Sequence, residues 1–158
     1  MANIFAGSEI VELGIQIEVN GHAFYRSLAG QTKNKKAKDV FEFLADEEER
    51  HIAVFKNLLS SVEKFAPQEV YPGEYIAYMR ALASGHVFTR KGQGAKTAKD
   101  AKNDKDAVEL GIGFEKDSII FYEGMKGSVP DKDHGALDSL IAQEQGHLVK
   151  LTELKAKL

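Results

Sequence analysis

Two Glu-x-x-His pairs, Glu48–His51 and Glu144–His147, each follow a lone glutamate one helix earlier in the chain, Glu18 and Glu115 respectively. Residues three apart share one face of an α-helix, so each pair aims a carboxylate and an imidazole at the same place. Carboxylate oxygens and imidazole nitrogens suit divalent first-row metals such as iron and manganese. Four carboxylates carry four negative charges, which two divalent ions balance, leaving the two imidazoles as uncharged donors. The chemistry this pattern offers is a two-metal centre.

The chain repeats around these residues. Val11–Tyr25 reads VELGIQIEVNGHAFY and Val108–Tyr122 reads VELGIGFEKDSIIFY, so Glu18 falls on Glu115 and Tyr25 on Tyr122. At nearly the same offset LADEEERH (Leu44–His51) overlays LIAQEQGH (Leu140–His147). The overlay picks Glu48 out of the run Glu47, Glu48, Glu49, because Gln143 and Gln145 flank Glu144 and only Glu48 has a carboxylate counterpart. A single Glu-x-x-His match carries little weight. Two in register with a repeated upstream segment are hard to assign to chance.

Helices must position these groups. The only prolines, at 67, 72 and 130, lie outside the strongly periodic segments, which favours long uninterrupted helices. The first helix is expected from Ser8, as N-cap, to about Ala29, and the second from Asn34 or Lys35 to about Lys64. A third opens with a capping-box pattern at Asp106–Glu109 and runs to about Lys126, and a fourth starts shortly after Pro130 and reaches the C-terminus. Short polar turns make helices one and two, and three and four, antiparallel pairs. The expected fold is an all-α four-helix bundle, two antiparallel pairs joined by a long crossover. Between Phe65 and Lys105 the sequence predicts an irregular, solvated connection, charged from Lys96 to Lys105, with one short helix over Glu74–Ala83.

On these helices each lone or paired glutamate falls in the middle of an apolar stripe. The stripes are Val11, Ile15, Glu18, His22, Tyr25; Phe41, Leu44, Glu48, His51 or Ile52, Phe55, Leu59; Val108, Ile112, Glu115, Ile119, Tyr122; and Leu137, Leu140, Glu144, His147 or Leu148, Leu151, Leu154. Burying a carboxylate without a partner costs on the order of several kcal/mol, so four of them in one core layer call for cations. The competing reading is a bundle with buried ion pairs and no metal. Glu48 and Glu144, each on a helix with a histidine, are expected to bridge two metals. Glu18 and Glu115 are expected to be terminal, one per metal, with His51 and His147 completing the two sets. Tyr25 and Tyr122 lie two turns beyond Glu18 and Glu115 and can donate hydrogen bonds that orient ligating carboxylates, or simply pack. His22, whose repeat counterpart is Ile119, is expected to pack or support rather than ligate. His86 and His134 fall in loop regions and are expected to be solvated. Gly14 and Gly111 recur inside helices, where close helix approach is the candidate reason.

At 158 residues the chain is expected to form one domain, 1–158, large enough for a substantial core. A net charge of −3 and a pI near 6.0 give no reason to expect nucleic acid or an anionic membrane surface as partner. There is no cysteine, which excludes disulfides, thiolate metal sites, thiol catalysis and iron–sulfur clusters. No secretory signal pattern and no membrane-length apolar run occurs, so a cytoplasmic location is expected.

With these motifs placed, the chain resembles the rubrerythrin branch of the ferritin-like superfamily over essentially its full length. The resemblance rests on Glu18, Glu48–His51, Glu115, Glu144–His147, the Tyr25 and Tyr122 positions, and the phrases EFLADEEERH and GFEKDSIIFYE. It implies a ferritin-like bundle with a non-haem centre of two iron ions, manganese being the alternative, that reacts with hydrogen peroxide or dioxygen, usually in a homodimer. The long connection would sterically permit helix pairs to exchange between subunits. Two departures stand out. Full-length rubrerythrins add a four-cysteine rubredoxin domain for electron supply, and a chain without cysteine must take electrons from a separate donor. Rubrerythrins also commonly carry a second glutamate three residues after the lone glutamate of helix three, where this chain has Ser118. The expected function is peroxide or dioxygen reduction in oxidative-stress defence. A ferroxidase and a metal-binding bundle without turnover are the alternatives.

Overall fold

The computed structural model describes residues 7–62 and 73–158. Six α-helices and no strand occur among them: α1 (Gly7–Gln31), α2 (Lys35–Val62), α3 (Glu74–Gly85), α4 (Gln93–Asp100), α5 (Asp104–Met125) and α6 (His134–Lys157). The four long helices α1, α2, α5 and α6 form the bundle; α3 and α4 lie in the crossover. Gly14 beside Phe55 and Arg26 paired with Asp46 run α1 and α2 antiparallel, and Lys155–Glu109 with Lys126–Asp138, Lys126 directly following α5, do the same for α5 and α6. No helix among the described residues is long and apolar enough to cross a membrane.

Local chemistry sets the helix ends. Asn34 caps α2, its Oδ1 accepting from the Ala37 amide at 3.0 Å. Ser8 lies inside the first helix, whose described part is Gly7–Gln31, rather than capping it. The expected end of α2 at Lys64 falls outside the described residues. Helix α5 starts two residues before the expected Asp106. Asn103 is the true N-cap and accepts from the Asp106 amide at 2.8 Å, while Asp106 Oδ2 reaches back to the Lys102 amide at 2.8 Å. The capping device is real but sits one turn earlier than the sequence pattern placed it.

The crossover differs most from expectation. The short helix at Glu74 is present and extends to Gly85, but α4 reaches into the charged run expected to be irregular, and α5 starts before that run ends. Gly92, at φ 78°, supplies the left-handed turn that opens it. Gly94 then lies so close to α1 that an added Cβ would stand 1.9 Å from the Asn20 carbonyl oxygen. The buried Asn20 side chain fastens the segment by donating to the Phe88 and Arg90 carbonyls (2.6 and 2.7 Å) and accepting from the Gly94 amide (3.1 Å). One α1 asparagine thus holds the backbone just ahead of the charged run and the first turn of α4. Gly14 and Gly111 admit side chains from other helices. A Cβ on Gly14 would meet Met125 Cε at 2.8 Å and Phe55 Cε1 at 3.2 Å, and one on Gly111 would meet Leu151 Cδ1 at 3.2 Å and Tyr25 Oη at 3.4 Å.

Candidate metal centre

The four glutamates at the middle of the apolar stripes are fully buried, and His51 and His147 are buried beside them. One chain brings all six together. Glu18, Glu48, His51 and Glu144 each offer a donor atom within 4.8 Å of the others, and Glu48, Glu115, Glu144 and His147 form a second such group. Glu48 and Glu144 belong to both groups, whereas Glu18 and Glu115 belong to one each. The Nδ1 atoms of both histidines face inward. That of His51 lies 3.0 Å from Glu144 Oε1 and 3.5 Å from Glu18 Oε2. That of His147 lies 3.0 Å from Glu144 Oε2, 3.3 Å from Glu48 Oε1 and 3.6 Å from Glu115 Oε1.

Which oxygens are hydrogen-bonded follows a pattern. Tyr25 donates to Glu115 Oε1 at 2.6 Å and Tyr122 donates to Glu18 Oε1 at 2.5 Å. Each tyrosine thus clamps the lone carboxylate of the other half of the chain. Glu18 Oε2, Glu115 Oε2, both oxygens of Glu48 and of Glu144, and both Nδ1 atoms have no hydrogen-bond partner although they are buried. The close nitrogen–oxygen approaches are misdirected for hydrogen bonds, so these atoms converge on shared points rather than on one another. Two carboxylates with one free oxygen, two with both free and two inward nitrogens fit a pair of divalent cations. Buried polar atoms left without partners would otherwise be strongly destabilising.

The electrostatics of the metal-free cluster agree. Burial opposes charge on both imidazoles, yet the adjacent carboxylates outweigh it. Glu144 and Glu18 push His51 up to about 11, and Glu115 and Glu144 push His147 up to about 10. Burial, then the neighbouring carboxylates, drives Glu48 and Glu144 well above the usual range. Burial would also raise Glu18, but His51, Glu48 and Tyr122 hold it below its ordinary value. Burial and the carboxylates beside them keep the Tyr25 and Tyr122 phenols protonated, hence donors.

The remaining histidines divide. His22 is not among the converging groups; its Nδ1 lies 2.8 Å from the Ala45 carbonyl and ties α1 to α2. His86, expected in solvent, is buried. Its Nδ1 accepts from the Phe88 amide at 3.2 Å, its Nε2 lies 3.1 Å from Ser118 Oγ, and Phe88, Phe114 and Phe121 surround the ring. Burial lowers its pKa to about 4. His134 is also not free in solvent. Its Nε2 lies within 2.9 Å of the Lys126 and Val129 carbonyls, closing the turn before α6. Crossover folding decides the His86 case, and no local sequence signal announces it. Asn20 was missed for the same reason, its partners lying about seventy residues away.

This fold and this cluster define a ferritin-like bundle. The chain is similar to a crystal structure of a Thermotoga maritima protein assigned as ferritin-like diiron-carboxylate, with 26% identity and a TM-score of 0.68 over 99% of this chain and 98% of that one. The rubrerythrin family matches residues 9–155, and the chain belongs to that family. No curated protein matches it.

Proposed function

We propose that this protein is a non-haem di-iron oxidoreductase that reduces hydrogen peroxide or dioxygen with electrons from a separate donor protein. The observation that carries the reading is the pattern of free donor atoms. Glu48 and Glu144, with both oxygens unengaged and shared by both groups, would hold both ions; Glu18 and His51 would complete one position, and Glu115 and His147 the other. Two iron ions held there would supply two electrons and exchangeable coordination positions for cleaving an O–O bond, since four side chains per ion leave room for a small molecule. Tyr25 and Tyr122 fix the terminal carboxylates through their hydroxyls, so each keeps one oxygen directed inward. The apolar stripes around the cluster exclude bulk water. Ser118, the position one turn after Glu115, is engaged with His86, so no second carboxylate stands ready to exchange with a histidine at that end. The working form is proposed to be a cytoplasmic homodimer.

Anaerobic loading with Fe(II), followed by peroxide or dioxygen, tests the reading. Sustained consumption of oxidant when a reductant protein is supplied supports the proposal. Repeated oxidation of added Fe(II) without a donor would make the protein a ferroxidase instead. Two bound irons that react with neither oxidant would overturn both.

A further inference from the structure

The inner cluster is nearly symmetric, but the outer sides of its two histidines are not. His51 Nε2 lies 3.1 Å from Gln143 Oε1, a neutral amide. His147 Nε2 is buried without a hydrogen-bond partner, and the nearest charged group is Glu47 Oε2 at 3.9 Å. Gln143 and Glu47 are the same position of the repeat, each immediately preceding the bridging glutamate of its helix. Gln143 faces His51, and Glu47 lies 3.9 Å from His147 Nε2, with a His51 nitrogen also within 4.8 Å. On its solvent side Glu47 pairs with Arg50, whose repeat counterpart is Gly146.

Resting on the reading of the cluster as a two-metal centre, a tautomer follows. The inward nitrogen of each ring is Nδ1, and a nitrogen that donates to a metal carries no proton. Each neutral ring therefore keeps its proton on Nε2, facing outward. A carboxylate near that N–H, even at 3.9 Å and without a hydrogen bond, attracts its proton through charge and makes Nδ1 a stronger donor, whereas a neutral amide oxygen does so less. We propose that Glu47 and Gln143 are positioning residues that make the two metal positions unequal. The position built on Glu115 and His147 holds a divalent cation more tightly than the one built on Glu18 and His51.

The test is site-resolved occupancy with one equivalent of Mn(II) per chain, read by anomalous scattering from crystals. Partner substitutions behind a metal-bound histidine typically change affinity about 10–100-fold, so the Glu115/His147 position should fill about ten-fold in preference. Glu47→Gln should bring the ratio towards one, Gln143→Glu should do the same from the other side, and the double exchange should reverse it. Either single variant suffices if the double one does not fold. Equal filling in the wild type, or a ratio that the single exchanges leave unchanged, overturns the inference while the metal centre stands. No bound Mn(II) at all overturns both.

Discussion

Metal binding should expel protons from this core, and the structure sets how many. In the metal-free protein the His51 and His147 rings, pushed up to about 11 and about 10, are charged at pH 7, and Glu48 and Glu144 are raised well above the usual range. The two imidazolium charges thus offset part of the negative charge of the four glutamates, the role that divalent ions would take over. Ligation requires both ring protons to leave, because imidazole donates only when neutral, and any proton held by Glu48 or Glu144 must leave as well. At about 1.4 kcal/mol per pKa unit, deprotonating the two rings at pH 7 costs about 5 and about 4 kcal/mol respectively, which the metal must supply. The overall affinity for two ions should rise at least about 100-fold per pH unit near neutrality for the two histidine protons alone, and more steeply if both carboxyls also release. The assay is anaerobic calorimetric titration of metal-free protein with Mn(II) in buffers of different ionisation enthalpy, which counts protons released. Release of fewer than two protons, or an affinity flat from pH 6 to 8, would refute the charge balance and leave a neutral-histidine cluster in its place.

Four further outcomes are expected. Tyr25→Phe or Tyr122→Phe removes the donor to Glu115 or Glu18 and should lower metal-free stability by about 1.5–3 kcal/mol, as for hydrogen bonds to charged groups, and weaken metal binding about 10–100-fold. Denaturant melts and Mn(II) titration check the two effects, and an unchanged affinity would show that the tyrosines only pack. Metal-free stability should fall as pH rises. The raised His51 and His147 contribute below about 6.5 and lose that contribution through 10–11, and ionising Glu48 and Glu144 adds to the loss; Mn(II)-loaded protein should lack this decline in thermal melts. His86 acts on the acid side with the opposite sign. The unfolded ring takes a proton near 6.5 but the folded ring only near 4, so stability should drop by about 3 kcal/mol between those values, and His86→Asn should flatten that limb. Gly94→Ala drives a Cβ against the α1 backbone and should cost at least about 1–3 kcal/mol; a neutral result in thermal melts would mean that α4 is free to move off Asn20.

The six converging side chains were legible because helical periodicity alone puts them on four core-facing stripes, and the repeat singled out Glu48 from its neighbours. The stripes also implied the bundle, since a carboxylate in mid-stripe needs three other apolar faces around it. Spacing placed Tyr25 and Tyr122 on the right faces. It did not show that each hydroxyl crosses to the other half, because that depends on how α1 packs against α5. The crossover was least legible. Its charge and glycine content describe a solvated loop until Asn20, far away in sequence, pairs with its backbone. His86 followed the crossover inward and became part of the aromatic packing against α5.

The crossed clamps, Tyr25 on Glu115 and Tyr122 on Glu18, give the cluster the logic of a symmetric assembly written into one polypeptide. Two identical half-chains meeting about the same axis would build such a site, but every change on one side would then be inherited on the other. Covalent linkage removes that constraint. Gly21 can stand where the repeat has Ser118, Glu47 where it has Gln143, and Arg50 where it has Gly146, while the six donors stay matched. A single chain can therefore give its two ends separate histories, and chemistry that needs one end to differ from the other becomes open to it.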